Sequence, residues 1–93
     1  MPEPRELFVD MRTVVAGTEK ARETHLPAHR AYLAKLKDEG KLLMSGPLRD
    51  GTGALIVFSV ATQQEAEALT ANDPLVRAGV YKANVRAWSV RTY

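Results

Sequence analysis

The chain predicts one α+β domain with its elements in the order β-α-β-β-α-β. Three observations carry that reading. Two stretches with alternating apolar and polar residues stand near the ends, at Glu6–Val15 and Val80–Val90. An apolar run, Ala54 to Val60, lies between them. Two segments of helical spacing separate the strands, each closed by a recognisable stop. The pattern is the split βαβ, or ferredoxin-like, arrangement, with two helices on one face of an antiparallel four-stranded sheet.

Each element has its own warrant. Met1 to Arg5 is expected to be frayed. In the first strand Leu7, Val9 and Met11 face one way and Phe8, Asp10 and Arg12 the other. Ala16-Gly17-Thr18 breaks the alternation, and the polar stretch Thr18 to His25 is expected to be a loop or a short irregular helix. Pro27 argues against one uninterrupted helix, because it deletes a backbone donor and crowds the preceding turn. The main helix is therefore expected from about Pro27 to Glu39, with Pro27 in its first turn. Leu33 and Leu36 mark its buried stripe, and Gly40 stands in the left-handed cap position.

Lys41 to Ser45 reads as a short strand stopped by Gly46-Pro47. Arg49 to Gly53 is turn chemistry around an Asp-Gly pair. Ala54 to Val60 suits a central strand covered on both faces. Thr62-Gln63-Gln64-Glu65 is a capping box opening a helix that turns Ala66 and Leu69 inward. Asn72-Asp73-Pro74 ends that helix, Pro74 to Gly79 is a short turn or helical turn, and Val80 to Val90 is the last strand. The sheet face away from the helices needs a cover, and a second copy of the chain is the simplest one.

Ninety-three residues, 45 % of them hydrophobic and 26 % charged, make a single globular domain over 1–93. A chain of this size buries only about 60–65 % of its unfolded surface, which again favours pairing into a homodimer. Thirteen basic and eleven acidic residues leave a net charge of +2, interspersed along the chain, so no nucleic-acid footprint is expected. Without cysteine there is no disulfide framework and no thiolate nucleophile or ligand. No apolar run approaches a membrane span. The N-terminus lacks the order of a secretion signal. A cytoplasmic protein is expected.

His29 is the first candidate for chemistry. It lies at the edge of the helix's apolar stripe, where an imidazole suits general acid–base work or a bond to a backbone carbonyl. Asp73 is the second: at a helix end it can orient an imidazole, or simply stop the helix. Tyr32, Gly46, Pro47 and Ser59 are candidate ligand contacts. Packing, chain turning and a backbone bond are their ordinary alternatives. His25 and His29 have a metal-like spacing, but Pro27 lies between them and no further histidine or cysteine exists, so no metal is expected. No phosphate loop, serine elbow or dinucleotide fingerprint is present, and no cofactor is expected.

Leu26-Pro27-Ala28-His29-Arg30-Ala31-Tyr32-Leu33, the run Asp38 to Pro47, Glu65-Ala66, Asn72-Asp73-Pro74-Leu75 and Ala78-Gly79-Val80-Tyr81 together resemble the YciI-like (YCII-related) family, over nearly the whole chain. The resemblance implies a ferredoxin-like domain that pairs as a dimeric α/β barrel. It also implies that His29 and Asp73 match the family's histidine and aspartate. Similar proteins include a branch that eliminates chloride from chlorinated aromatic breakdown products, and the wider superfamily includes muconolactone isomerase-like enzymes. Many relatives carry arginine before the helix proline, where this chain has Leu26, with Arg30 close by. The function expected from these residues is a cofactor-independent lyase or isomerase acting on a small organic acid or aromatic-derived compound. The alternative is a non-catalytic small-ligand-binding or accessory dimer.

Overall fold

A computed structural model of the chain describes residues 5–92. The expectation of a frayed Met1–Pro4 lies outside them, and Arg5 already belongs to the first strand. The elements are β1 (Arg5–Val14), α1 (Glu19–Asp38), β2 (Leu42–Pro47), β3 (Gly53–Phe58), α2 (Gln63–Ala71), α3 (Pro74–Arg77), β4 (Tyr81–Lys82) and β5 (Val85–Val90). All strand pairs are antiparallel, in the order β2-β3-β1, with β4 and β5 both on the far side of β1. This is the ferredoxin-like arrangement the sequence predicts.

β4 and β5 are one strand in pairing. Val14 faces Tyr81, and Arg5 faces Val90, in an unchanged register. The ladder opens only at Ala83-Asn84, where the Met11 amide still donates to the Asn84 carbonyl at 2.9 Å. The expected last strand is therefore present, paired along β1 and interrupted in its middle.

α1 differs from expectation. It runs unbroken through Pro27. Proline at that position costs an internal hydrogen bond, typically about 3 kcal/mol. Two features offset it. Pro27 and Glu23 lie on the exposed side of the helix, the side on which a carbonyl left without a donor is least costly. Packing also holds both flanks. Ala21 and Leu26 lie against a cluster of Ala54, Leu75, Val80 and Tyr81, while Tyr32, Leu33 and Leu36 join Phe8, Leu42, Ile56, Phe58 and Ala66. Gly40 follows with φ +76°, as a left-handed helix end requires.

Two strand ends also move. β2 continues through Gly46 and Pro47, which pair with Leu55 and Ala54. Proline is tolerated there because β2 is an edge strand. β3 stops at Phe58 rather than Val60, and the Ser59 amide donates to the Lys41 carbonyl. At its other end Gly53 sits so close to β1 that a Cβ would overlap the Arg12 carbonyl oxygen. The capping box forms with a shift of one residue. Thr62 Oγ1 accepts from the Glu65 amide at 3.1 Å, while the glutamate accepts from Ala61.

Phe8, Asp10 and Arg12 of β1 face the helices with Ala54, Ile56 and Phe58 of β3. The opposite face leaves Met11, Leu55 and Trp88 exposed by 46, 37 and 46 %, so β3 is not covered on both faces within one chain. No helix among the described residues is long and apolar enough to cross a membrane.

Candidate functional site

The inward face of β1 places two charged side chains in the protein interior. Asp10 and Arg12 are 0 and 3 % exposed. Burial of a charge is costly unless it is paired, and the pairing here is extensive. The Arg12 guanidinium donates through Nε to Asp10 Oδ2 at 2.9 Å, with a further contact from Nη2. Its Nη1 donates to Asp73 Oδ2 at 2.7 Å. The Thr70 hydroxyl donates to Asp10 Oδ2 at 3.2 Å, and Asp10 Oδ1 has no partner. The Arg12 guanidinium also lies over the Tyr81 ring, 5.4 Å from its centroid.

Asp73 joins this cluster to His29. As the cap of α3 it accepts from the Leu75 amide at 2.9 Å. Its two oxygens stand 2.8 and 2.9 Å from His29 Nδ1. The side chain of Asp73 is 1 % exposed and that of His29 is 14 % exposed. Burial alone pushes the Asp73 carboxyl up. The hydrogen bonds from His29, Arg12 and the Leu75 amide, with the charge of Arg12, outweigh it and hold the group below the usual carboxylate range. The result is a chain from the interior outward, Asp10–Arg12–Asp73–His29, of alternating charge when His29 carries a proton.

His29 ends this chain at a pocket of about 240 Å³. α1 contributes Arg22, Leu26, His29, Arg30 and Leu33, all on one helical face, which stays continuous because the helix does not break at Pro27. Ser45, Gly46 and Pro47 form another wall, and Ala54, Ile56, Leu75 and Tyr81 complete it. With Nδ1 held by Asp73, the other ring nitrogen is the one left for a bound molecule.

The residues expected from sequence divide clearly. His29 and Asp73 meet, although 44 residues separate them. Gly46 and Pro47 line the pocket. Tyr32 does not; its hydroxyl donates to the Leu69 carbonyl at 2.8 Å and its ring packs on the larger core cluster. Burial, then the charges of Asp73 and Glu39, push its phenol pKa up. Ser59 is also remote, since it accepts from Arg5 Nη2 at 3.0 Å beyond the end of β3. His25 is on α1 rather than in a loop, and it borders a separate depression with Pro74, Arg77 and Ala78. Among the described residues no group of three histidine, cysteine or acidic side chains is placed to hold a metal. Arg12, Asp10, Arg22 and Ser45 were not singled out. The signal for the first two was present: Asp10 and Arg12 follow Phe8 on one face of β1, the face the alternation sets opposite Leu7, Val9 and Met11.

Residues 7–89 match the family described as the YCII-related domain. The chain is 32 % identical over 74 residues to the uncharacterised protein YjpA of Bacillus subtilis, covering 80 % of this chain and 87 % of YjpA. It is 36 % identical over 66 residues to protein YciI of Escherichia coli, covering 60 and 67 % of the two chains. Among solved structures it is similar to the 5-chloro-2-hydroxyhydroquinone dehydrochlorinase TftG of Burkholderia phenoliruptrix, in complex with 2,5-dihydroxybenzoquinone. That match has a TM-score of 0.77 and 28 % identity, over 89 % of this chain and 93 % of TftG. The cofactor-independent oxygenase SnoaB of Streptomyces nogalater shares the fold, with a TM-score of 0.53 and 13 % identity over 99 and 97 % of the chains.

Proposed function

The chain belongs to the YCII-related family, and from that premise we propose that it is a cofactor-independent enzyme of lyase or isomerase type, moving a proton on a small organic acid or aromatic-derived compound. The observation that carries the proposal is the 2.8 Å contact of His29 Nδ1 with a buried carboxylate, at the wall of an open pocket. Similarity to a dehydrochlorinase supports the reaction class.

In this reading Asp73 accepts the Nδ1 hydrogen and fixes the tautomer, so the Nε2 lone pair faces the substrate. Nε2 removes a proton from a substrate carbon or hydroxyl. The electron pair left behind forms a new double bond. In a lyase the leaving group departs with its own bonding pair. In an isomerase the imidazolium returns the proton to a different atom. Arg12 and Asp10 hold Asp73 in place. Proton uptake by His29 brings the four linked side chains from a net charge of −1 to zero, so the developing imidazolium meets a compensating charge. A second copy covers the open sheet face, seated on the apolar groove that includes Val9, Met11, Met44, Leu55 and Trp88. The second reading, a non-catalytic ligand-binding dimer, is favoured by the structural work Asp73 already does in capping α3 and pairing with Arg12.

The test is a thermal-shift screen of small acids, hydroquinones and chlorinated hydroquinones against the parent and His29→Ala, since a ligand that binds only the folded state raises its stability. Hits are then followed for turnover by absorbance and chloride release. The proposal expects conversion by the parent and loss of about 10²–10⁴-fold in His29→Ala. Equal conversion by both proteins would remove the proton-transfer role and leave the binding reading.

A further inference from the structure

Three arginines reach the wall of the His29 pocket, and only Arg12 is paired. Arg22 and Arg30 are exposed and make no ion pair among the described residues. They stand two turns apart on α1, on either side of Leu26 and on the face that carries His29. No aspartate or glutamate lines the pocket, because Asp10 and Asp73 lie behind Arg12 and His29. The mouth is therefore positive and uncompensated, while Ala54, Ile56 and Leu75 keep part of the wall apolar.

Size narrows the ligand further. A dry cavity of about 150 Å³ accepts benzene, so about 240 Å³ is room for one substituted ring. A guanidinium matches a carboxylate through two parallel hydrogen bonds, which a neutral group cannot reproduce.

We infer that Arg22 and Arg30 make this a site for monocyclic carboxylates, gripping the acid group at the mouth while the ring lies on the apolar wall beside His29. The inference rests on the proposed function in taking this pocket as the substrate site, and it narrows the substrate to a single ring bearing a carboxylate and names the residues that select it.

Salicylate and its neutral counterpart salicylamide are suitable probes, titrated by NMR at low ionic strength and followed at Ala54 and Leu75. The parent should bind salicylate about tenfold more tightly than salicylamide, the preference shrinking with added salt. Arg22→Gln/Arg30→Gln should lose about that factor for salicylate and nothing for salicylamide. Both positions are exposed, so an unchanged melting temperature confirms that the variant is folded. Equal binding of the two probes, no binding of either, or an acid preference that survives in the double variant would each overturn the inference. Its failure is separable from that of the catalytic reading. A charge-blind pocket with His29-dependent turnover defeats only the arginine selection. An arginine-dependent acid preference with turnover indifferent to His29→Ala defeats only the proton transfer.

Discussion

Arg12→Met should be among the most destabilising single changes in the chain. The arginine lies between two carboxylates whose side chains are 0 and 1 % exposed. Methionine fills much of the same volume but leaves both anions without their cation. Asp73 keeps His29 and the Leu75 amide as donors, whereas Asp10 keeps only the Thr70 hydroxyl. Removing one partner of a buried pair costs about 3–5 kcal/mol, a large part of the roughly 5–15 kcal/mol that holds such a domain together. At about 4–8 °C per kcal/mol for a domain of this size, the melting temperature should fall by roughly 12–40 °C. Urea unfolding followed by circular dichroism measures the loss directly. The companion variant Asp10→Leu/Arg12→Met removes the charge left stranded on β1. It should recover about 1–3 kcal/mol relative to the sum of the single losses. A loss below about 1 kcal/mol for Arg12→Met, or strict additivity, would refute the view that these residues share one charge network.

The remaining predictions concern acid, core and assembly. Because Asp73 has a folded pKa below the unfolded value of about 3.9, its stabilising contribution is complete above about pH 4 and is lost as the pH falls through the folded value. Asp73→Asn should therefore be less stable at neutral pH, with a flatter stability profile between about pH 5 and pH 2; a profile parallel to the parent's would contradict this. Tyr32→Phe should cost about 1 kcal/mol through the lost bond to the Leu69 carbonyl, with ligand affinity unchanged by titration. If affinity collapsed while stability held, Tyr32 would belong to the pocket after all. Leu55→Glu/Trp88→Glu should sediment as a monomer where the parent sediments as a dimer. A monomeric parent would count against the proposed sheet-face pairing.

The fold was legible because its signals are local or periodic. Alternation marks β1, the Thr62 to Glu65 cap opens α2, and Asn72-Asp73-Pro74 closes it. The errors arose where tertiary contacts overrode a local rule. Pro27 breaks a helix in isolation, but here both flanks are held by core clusters and the proline lies on the exposed side of the helix. Gly46-Pro47 reads as a stop, yet an edge strand can carry it in register. At the site, helical spacing brought out His29 and helix-end chemistry brought out Asp73. Arg12 was harder, since its partner Asp73 lies 61 residues away, and an alternating strand with charges on one face usually turns that face to water. Tyr32 sits one turn from His29 but turns to the core, where its ring joins the larger cluster and its hydroxyl reaches the Leu69 carbonyl. Arg22 lay in the stretch expected to be a loop or a short irregular helix, so its alignment with His29 required one helix continuing through Pro27.

The central claim is that Asp73 holds the Nδ1 hydrogen of His29 and leaves Nε2 as the acceptor facing the pocket. Long-range proton–nitrogen NMR of the imidazole, at a pH where the ring is neutral, reports directly which nitrogen carries the hydrogen. The account predicts the Nδ1–H tautomer in the parent, with that preference weakened in Asp73→Asn. A ring protonated at Nε2 in the parent, unaffected by the Asp73 change, would contradict it.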